Sequence, residues 1–432
     1  MRKRLVALLV GGAIAAGSTI GLAACTGKDS NKITLWGPSA QQESLQQMVN
    51  LFLEQNPDFG LKIELGIAGE SDAFSMMSND PKSGADVFAY ANDQVVNLYS
   101  LGALARIGEG VVEGLKEANV EASVEAGKVG EGYYGYPYAA DNGFFMYYDS
   151  SVVSEEQAKT LDGVLKACAD AKKYFIYQLT TGWYVGSFTY GAGGEYTVTY
   201  EGTAVTDITC NFDEKAEGSD YTYGEIGGQM LIDLKANKYK SFVDGDDKTI
   251  ASYLSGGRFG ACISGTWNAG LIKSYLQTKD ADGNVTVDHY AATVLPTWES
   301  PLTHETYDWK SFAGYKLYGV NSYSKHLAKA HQLAQFLSSE AMQEKRFDDN
   351  EIGPANKNVA AMEKVTSNVA IGAISRQIAT NSVIQTPMPQ SYWTEMESFG
   401  NAMKDWSTRT GDEAKQTLLE RVQELVTALK AN

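Results

Sequence analysis

The chain has 432 residues, a hydrophobic fraction of 44% and a formal net charge of −17. Such a length exceeds what one hydrophobic core usually organises, so we expect two lobes. The negative charge argues against nucleic acid or an anionic membrane surface as a partner, because phosphate contacts need basic patches. Aromatic residues are abundant, with 7 Trp and 25 Tyr, as in a well-packed globular protein.

The amino end has the pattern of a secretory signal. Residues 1–4 carry three basic side chains, residues 5–24 are apolar, and Leu22-Ala-Ala-Cys25 resembles the bacterial lipobox. We therefore predict a signal peptide over 1–24, a lipid on Cys25 and a flexible tether over 25–32, which anchor the protein to the outer face of the bacterial cell membrane. The alternative is an uncleaved transmembrane anchor, because the apolar run is just long enough to span a bilayer. Both place the rest of the chain outside the cytoplasm.

Strands and helices alternate after the tether, which predicts α/β layers. Residues 32–36, 61–65 and 86–90 have strand patterns, and the segment after Asp93 is predicted to be helical. The first helix should begin with a capping box of Ser39 and Gln42 and end before Pro57. Its apolar stripe is Leu45, Met48, Val49 and Phe52. The stripe of the last helix is Leu418, Val422, Leu425 and Leu429.

The cysteines after Cys25 suit no metal site. Cys262 lies in an apolar run and is predicted to be a small core residue, whereas a disulfide between Cys168 and Cys210 stays open. Residues 279–284 resemble a calcium loop, but the glycine is one position early and no distal glutamate completes it, so a hairpin turn is predicted. We expect neither a metal nor a cofactor.

Catalytic signatures are missing from the sequence. It contains no H-E-x-x-H and no G-x-S-x-G motif, and Gly191-Ala-Gly-Gly194 does not match a phosphate-binding loop. A glycoside hydrolase needs only two carboxylates, so a surface hydrolase remains an alternative. We expect a binding protein rather than an enzyme.

Short blocks of sequence run in a fixed order over residues 31–432. They are Ile33-Thr-Leu-Trp36, Gly84-Ala-Asp-Val-Phe-Ala-Tyr-Ala-Asn-Asp-Gln94, Leu101-Gly-Ala-Leu-Ala105, Gly135-Tyr-Pro-Tyr-Ala-Ala-Asp141, Met146-Tyr-Tyr-Asp149, Phe259-Gly-Ala-Cys-Ile-Ser-Gly-Thr-Trp267, Ala292-Thr-Val-Leu-Pro296, Phe312-Ala-Gly314 and Pro387-Met-Pro-Gln-Ser-Tyr-Trp393. This ordered set resembles the maltose/maltodextrin-binding proteins, within the extracellular solute-binding lipoproteins of carbohydrate ABC importers.

The resemblance implies a two-lobed periplasmic-binding-protein fold with a hinge and a ligand cleft between the lobes. It assigns 31–141 and 290–338 to the N-terminal lobe, and 142–289 and 339–432 to the C-terminal lobe. The implied function is capture of malto-oligosaccharide or a related oligosaccharide by a monomer that delivers it to the transmembrane subunits of an ABC permease. The same fold binding a different glycan or a small solute is the main alternative.

The resemblance also implies a set of ligand-binding residues. Four aromatic rings match stacking positions of the family and would cover the apolar faces of sugar rings. Acidic side chains would accept hydrogen bonds from sugar hydroxyls, while Gln94 replaces an arginine of the family. The predicted ligand-binding residues are Tyr90, Trp183, Trp267, Trp393, Glu70, Asp93, Gln94 and Asp141. An insertion over 299–311, with Tyr307 and Trp309, is placed near the cleft.

Overall fold

The structure is a computed structural model, and it describes residues 31–431. The predicted signal peptide and Cys25 lie outside the described residues. Within them, the strands are β1 (Lys32–Gly37), β2 (Lys62–Ile67), β3 (Val87–Ala91), β4 (Lys128–Val129), β5 (Gly132–Tyr133), β6 (Tyr136–Asn142), β7 (Phe145–Asp149), β8 (Tyr174–Tyr177), β9 (Tyr196–Glu201), β10 (Ala204–Cys210), β11 (Phe242–Asp244), β12 (Phe259–Ser264), β13 (Gln277–Lys279), β14 (Val285–Asp288), β15 (Tyr290–Thr293), β16 (Trp298–Glu299), β17 (Thr306–Tyr307), β18 (Ser311–Val320) and β19 (Ser382–Ile384).

Helices cover both faces of the two main sheets. In the same range they are α1 (Gln42–Gln55), α2 (Ala73–Asn79), α3 (Val95–Ser100), α4 (Glu109–Ala118), α5 (Glu121–Glu125), α6 (Leu161–Asp170), α7 (Gly182–Val185), α8 (Ser187–Gly191), α9 (Tyr223–Ala236), α10 (Asp247–Ser255), α11 (Ala269–Leu276), α12 (Leu327–Leu337), α13 (Glu340–Asn350), α14 (Lys357–Ala360), α15 (Glu363–Thr366), α16 (Val369–Thr380), α17 (Gln390–Lys404) and α18 (Leu418–Lys430).

The two main sheets organise two lobes. The first sheet has the order β19-β18-β3-β1-β2, with β6 paired to β18, and the second has the order β11-β8-β12-β7-β15. Each mixes parallel and antiparallel pairs. In the first sheet β3 is parallel to β1 and antiparallel to β18, and in the second β12 is parallel to β8 and antiparallel to β7. The strands at the middle of each sheet, such as β3 and β12, are buried throughout because helices cover both faces. The predicted two-lobed α/β fold is confirmed.

Strand β18 connects the two lobes. Near its start, Phe312 packs in the core of the second lobe, while Leu317 packs in the core of the first. The other connections lie between β6 and β7 and in the segment after α13. Since β18 also pairs with β3, β6 and β19, it is the central element of the hinge region.

The pairing corrects two of the predicted lobe boundaries. Residues 290–293 were assigned to the N-terminal lobe, but they form β15 and pair with β7 of the second sheet. Residues after 338 were assigned to the C-terminal lobe, but α13 packs on the first lobe, where Arg346 donates to the Tyr318 hydroxyl. Both crossings therefore come later in the chain than predicted, because an edge strand and a helix stay with the lobe whose core they complete.

Most predicted elements occur where expected. The four stripe residues of α1 are buried, the helix ends before Pro57, and the stripe of the last helix faces the core in α18. The predicted capping box is wrong: Ser39 lies in a 3-10 turn, and α1 begins at Gln42 without a side-chain cap. The Gln42 amide instead donates to the carbonyls of Gly37 and Pro38.

The cysteine and hairpin predictions are also settled. Cys262 is a buried core residue of β12, and Cys168 and Cys210 are free and buried. Residues 279–284 form the predicted turn between β13 and β14, in which the Asp280 carboxylate accepts from the backbone N–H groups of Asp282 and Asn284. Across residues 31–431, none of the helices has the length and apolar character needed to cross a membrane.

Candidate ligand-binding site

Five of the eight predicted site residues lie in two groups of contacts beside the hinge. One group surrounds Lys316, and we call it the lysine cluster; it consists of Glu70, Tyr138, Asp141, Thr266, Trp267 and Lys316. The other, the aromatic group, consists of Trp183, Phe312 and Trp393. Strand β18 supplies a residue to each.

The lysine cluster gathers side chains from both lobes. The Lys316 ammonium lies 3.0 Å from one Asp141 carboxylate oxygen and 5.9 Å from the centroid of the Trp267 ring. Burial alone lowers the pKa of Lys316, but the Asp141 and Glu70 carboxylates outweigh it and hold that pKa above its usual value. Lys316 is therefore a buried cation paired within the protein.

The Asp141 carboxylate accepts several hydrogen bonds from groups of the protein. Its second carboxylate oxygen accepts from the Thr266 hydroxyl at 2.6 Å and from the Gly353 N–H at 2.7 Å. With Lys316, these partners use three of the roughly four lone-pair sites of a carboxylate. Asp141 thus lies in the lysine cluster, and its carboxylate is hydrogen-bonded within the protein.

Glu70 and Gln94 shape the rim of the first lobe. The Tyr138 hydroxyl donates to the Glu70 carboxylate at 2.5 Å. The Gln94 amide accepts from the Phe74 N–H and donates to the Glu70 carbonyl, so it holds the loop that carries Glu70. In this conformation Gln94 is therefore a support for the rim.

The aromatic group is a set of neighbouring rings. The Trp183 and Trp393 centroids are 6.1 Å apart with an interplanar angle of 38°, and Phe312 lies 4.9 Å from Trp183. Both indoles are half-buried, which leaves part of each ring accessible. Trp183 lies in α7 and Trp393 in α17, and these helices approach closely because Gly182 has no side chain facing the Trp393 backbone.

Asp93 lies next to the segment that leads to the aromatic group. It follows β3 in a 3-10 turn, and its backbone carbonyl accepts from the Met388 N–H, five residues before Trp393. Burial raises the pKa of its carboxyl to about 7. One of its carboxylate oxygens is buried without a hydrogen-bond partner, which is uncommon for a native polar group.

Tyr90 is not placed as a stacking plate. Its ring is fully buried in the first lobe, and its hydroxyl lies against Gly135, where an added methyl group would come within 2.4 Å. The insertion over 299–311 also differs from the prediction, because Trp309 is fully buried against Phe188 and Tyr307 stacks on Trp298. Tyr90 and Trp309 are therefore enclosed within a lobe, and Tyr307 is half-buried.

Four residues of the two groups carried no prediction. Lys316, Thr266, Phe312 and Tyr138 complete the groups, and the sequence marked them only by their positions within or beside the ordered blocks. A lone lysine inside the apolar strand Phe312–Val320 was the available signal for Lys316, since a charge in a buried strand needs a partner. Among residues 31–431, no group of three or more His, Cys, Asp or Glu side chains is arranged to hold a metal ion.

Comparison with known proteins identifies the family. The family model described as bacterial extracellular solute-binding protein matches residues 47–373, most of the chain. This chain belongs to that family. The family and the relatives found are binding proteins rather than enzymes, and the family name places its members outside the cytoplasm.

Individual relatives are distant but cover the chain almost fully. The galactooligosaccharide-binding protein of Bacillus subtilis (strain 168) is 23% identical over 403 residues, 89% of each chain. A solved structure with acarbose is 28% identical, has a TM-score of 0.76 and covers 93% of this chain and 99% of its own. The Thermus thermophilus maltotriose-binding protein bound with maltotriose has a TM-score of 0.71 at 20% identity, and the match covers 92% of this chain and 99% of that one.

Proposed function

We propose that this protein captures a neutral oligosaccharide of a few sugar units and delivers it to the transmembrane subunits of an ABC importer. A lipid on Cys25 would hold the monomeric protein at the outer face of the cell membrane. The ligand class is a malto-oligosaccharide or a related oligosaccharide, and galacto-oligosaccharides are included because one relative carries that name.

The spacing of the two groups along β18 is the observation on which the proposal mainly rests. Phe312 and Lys316 are four residues apart, which is about 13 Å along an extended strand. The Trp183 and Trp393 rings lie at one end of this stretch and the Trp267 ring at the other. Aromatic plates at such separation suit an elongated ligand with several apolar ring faces.

Unpaired polar atoms near the aromatic group support a polyhydroxylated ligand. Thr181, Trp183 and Ser391 each have a buried side-chain donor without a partner, and Asp93 has an unpaired acceptor. An unsatisfied buried polar group costs about 1–3 kcal/mol. Sugar hydroxyls both donate and accept, so one ligand can satisfy donors and acceptors together.

The charges of the site favour a neutral ligand. The cation of the lysine cluster is already paired with Asp141. The nearby Arg346 guanidinium donates to Tyr318 and lies 4.5 Å from the Tyr138 ring centroid. A phosphorylated solute would need a cation that is available to it.

Isothermal titration of the mature protein tests the proposal. Maltotriose, acarbose and a galacto-oligosaccharide mixture are titrated in turn, with glucose 6-phosphate as a charged comparison. We expect saturable heat with at least one oligosaccharide and none with the phosphate. No heat and no thermal shift with any sugar would exclude the sugar function. Release of reducing sugar during long incubation would instead support the hydrolase alternative.

A further inference from the structure

Lys316 and Asp141 form an ion pair that is almost completely removed from water. Their side chains are 5% and 1% exposed, and 3.0 Å separates the ammonium from the carboxylate. Burying two charges is costly, and an apolar pair of the same volume is often as stable or more so. Fold stability alone is therefore a weak reason for this pair.

The ion pair lies in or contacts all three segments that connect the lobes. Asp141 lies at the end of β6, just before the chain enters the second lobe, and Lys316 lies in β18. The second partner of the carboxylate, the Gly353 N–H, belongs to the segment after α13. A side chain at Gly353 would come within 2.8 Å of Asp141, so this close approach requires glycine.

The third partner of the Asp141 carboxylate comes from the second lobe. Thr266 lies in the 3-10 turn after β12, directly before Trp267, and its hydroxyl donates to Asp141. One carboxylate thus joins the three connecting segments to the turn that carries a predicted sugar-stacking ring. The Lys316 ammonium pairs with the other carboxylate oxygen and lies 5.9 Å from the centroid of the Trp267 ring.

We propose that Lys316 is a positioning residue for ligand capture, which holds the Asp141 carboxylate as a clamp on the hinge and so sets the orientation of Trp267 and of the two lobes. The statement about the sugar rests on the proposed function. The statement about the lobes does not, because the clamp consists of contacts between segments of the chain itself.

The other charged groups around the pair have hydrogen-bond partners of their own. Glu70 faces the ammonium from the first lobe but accepts from the Tyr138 hydroxyl. Arg346 is directed to the Tyr318 hydroxyl and the Gln41 amide oxygen. The cation paired with Asp141 is therefore Lys316.

A competing role for Asp141 makes a different prediction. If Asp141 binds the sugar directly, Lys316 competes for its carboxylate, and Lys316→Met would leave affinity unchanged or tighten it. If the pair is a clamp, the same change weakens binding, because Trp267 and the lobes lose their fixed geometry.

Four variants separate positioning from stability: Lys316→Met, Asp141→Asn, the double variant of both, and Thr266→Val. The single changes at the pair leave a buried group without its partner and should lower the melting temperature. The double variant removes both charges and should recover most of the melting temperature that the single variants lose. Thr266→Val removes only the link to the Trp267 turn. Lys345→Met, which breaks a partly buried pair with Asp349 on α13, is the matched control.

The decisive measurements are sugar affinity and the distance between the lobes. Spin labels at Glu54→Cys on α1 and Lys248→Cys on α10 report that distance in the ligand-free chain carrying Cys25→Ser, because Cys168, Cys210 and Cys262 are buried. We expect the double variant to keep a shifted or broadened distance distribution and about tenfold weaker sugar binding despite its recovered melting temperature. Thr266→Val should weaken binding similarly, and the control should match the parent.

A parent-like distance distribution in the ligand-free double variant would overturn the proposal and leave the pair a purely structural role. Unchanged or tighter sugar binding by Lys316→Met would also overturn it and assign Asp141 to the ligand. If the parent protein binds no sugar, the proposed function fails, while the ligand-free distance measurement still decides whether the clamp exists.

Discussion

Single aromatic side chains should dominate the binding energy of this site. Trp267 presents a half-buried ring next to a buried cation, and covering that ring with a sugar face removes apolar surface from water. We expect Trp267→Ala to weaken binding of the best oligosaccharide by about 2 kcal/mol. Titration calorimetry measures the loss, and the half-buried Trp406, which lies under Arg409, is the control for removing an indole elsewhere. An unchanged dissociation constant would place Trp267 outside the ligand contacts.

Asp93 predicts a specific pH dependence. Its folded pKa is raised to about 7 by burial, above its usual value of 3.8, so the folded protein holds this proton more tightly than the unfolded chain. The stabilising contribution is present at low pH and is lost as pH rises from about 4 to about 7. Asp93→Asn keeps the shape without the charge, so we expect a higher melting temperature than the parent at pH 8 and little difference at pH 4.

Ligand binding by the Asp93 variant should change in the opposite direction. The ionised carboxylate is the stronger acceptor for a sugar hydroxyl, so Asp93→Asn should weaken binding, and most above pH 7. Melting curves and titrations at pH 4, 6 and 8 test both effects, with Asp170→Asn on the exposed face of α6 as the control. If Asp93→Asn raises the melting temperature equally at all three pH values, the effect does not come from burial of the Asp93 charge.

Sequence information marked several residues that the structure brings together, but it did not show their contacts. The family resemblance marked Trp183, Trp267 and Trp393, which the structure leaves partly accessible. It could not show that Tyr90 is enclosed, because this depends on the approach of Gly135. It could not show that Asp141 is already bonded either, since its three partners lie 125, 175 and 212 residues further along the chain.

At the scale of elements, the close contact of α7 and α17 fixes the aromatic group. A methyl group on Gly182 would come within 2.6 Å of the Trp393 carbonyl oxygen and 2.9 Å of its Cα. Both are backbone atoms, so the helices would have to separate. We expect Gly182→Ala to destabilise the protein by about 1–3 kcal/mol and to weaken oligosaccharide binding by misplacing Trp183 relative to Trp393.

The control for this change is Gly114→Ala in α4, where an added methyl group meets nothing within 4 Å. Alanine is the better helix former, so that variant should keep or raise stability. Urea unfolding and calorimetry compare the two. Parent-like affinity in Gly182→Ala would mean that the spacing of the two indoles is unimportant for the ligand.

Periodicity predicted the elements better than their ends and partners. The stripes of α1 and α18 follow from the spacing of apolar residues, which is a local property. The start of α1 depends on the 3-10 turn over Ser39–Gln41, and the lobe that keeps β15 depends on pairing with β7. These features depend on contacts between segments that are distant in the sequence, and the sequence alone does not show such contacts.

At the scale of the whole molecule, the proposed lipid anchor would keep the lobes near the importer. A single acyl chain gives marginal membrane binding, whereas two chains give stable attachment, which a diacylglyceryl group on Cys25 would provide. A tether of about eight residues has a root-mean-square span of roughly 16 Å, so the first lobe would remain close to the membrane surface.

The anchor can be tested in a host bacterium that is fed a labelled fatty acid. We expect the membrane-extracted protein to incorporate the label, to lack residues 1–24 and to show the added lipid mass on Cys25, while Cys25→Ser incorporates none. The uncleaved-anchor alternative predicts an unlabelled protein that keeps its first 24 residues and stays in the membrane fraction in both forms. Cys262→Ser is the control for loss of a thiol, since that side chain is buried in β12 and cannot reach an acyl transferase. Intact mass spectrometry therefore separates the two modes of attachment, and both keep the lobes outside the cytoplasm.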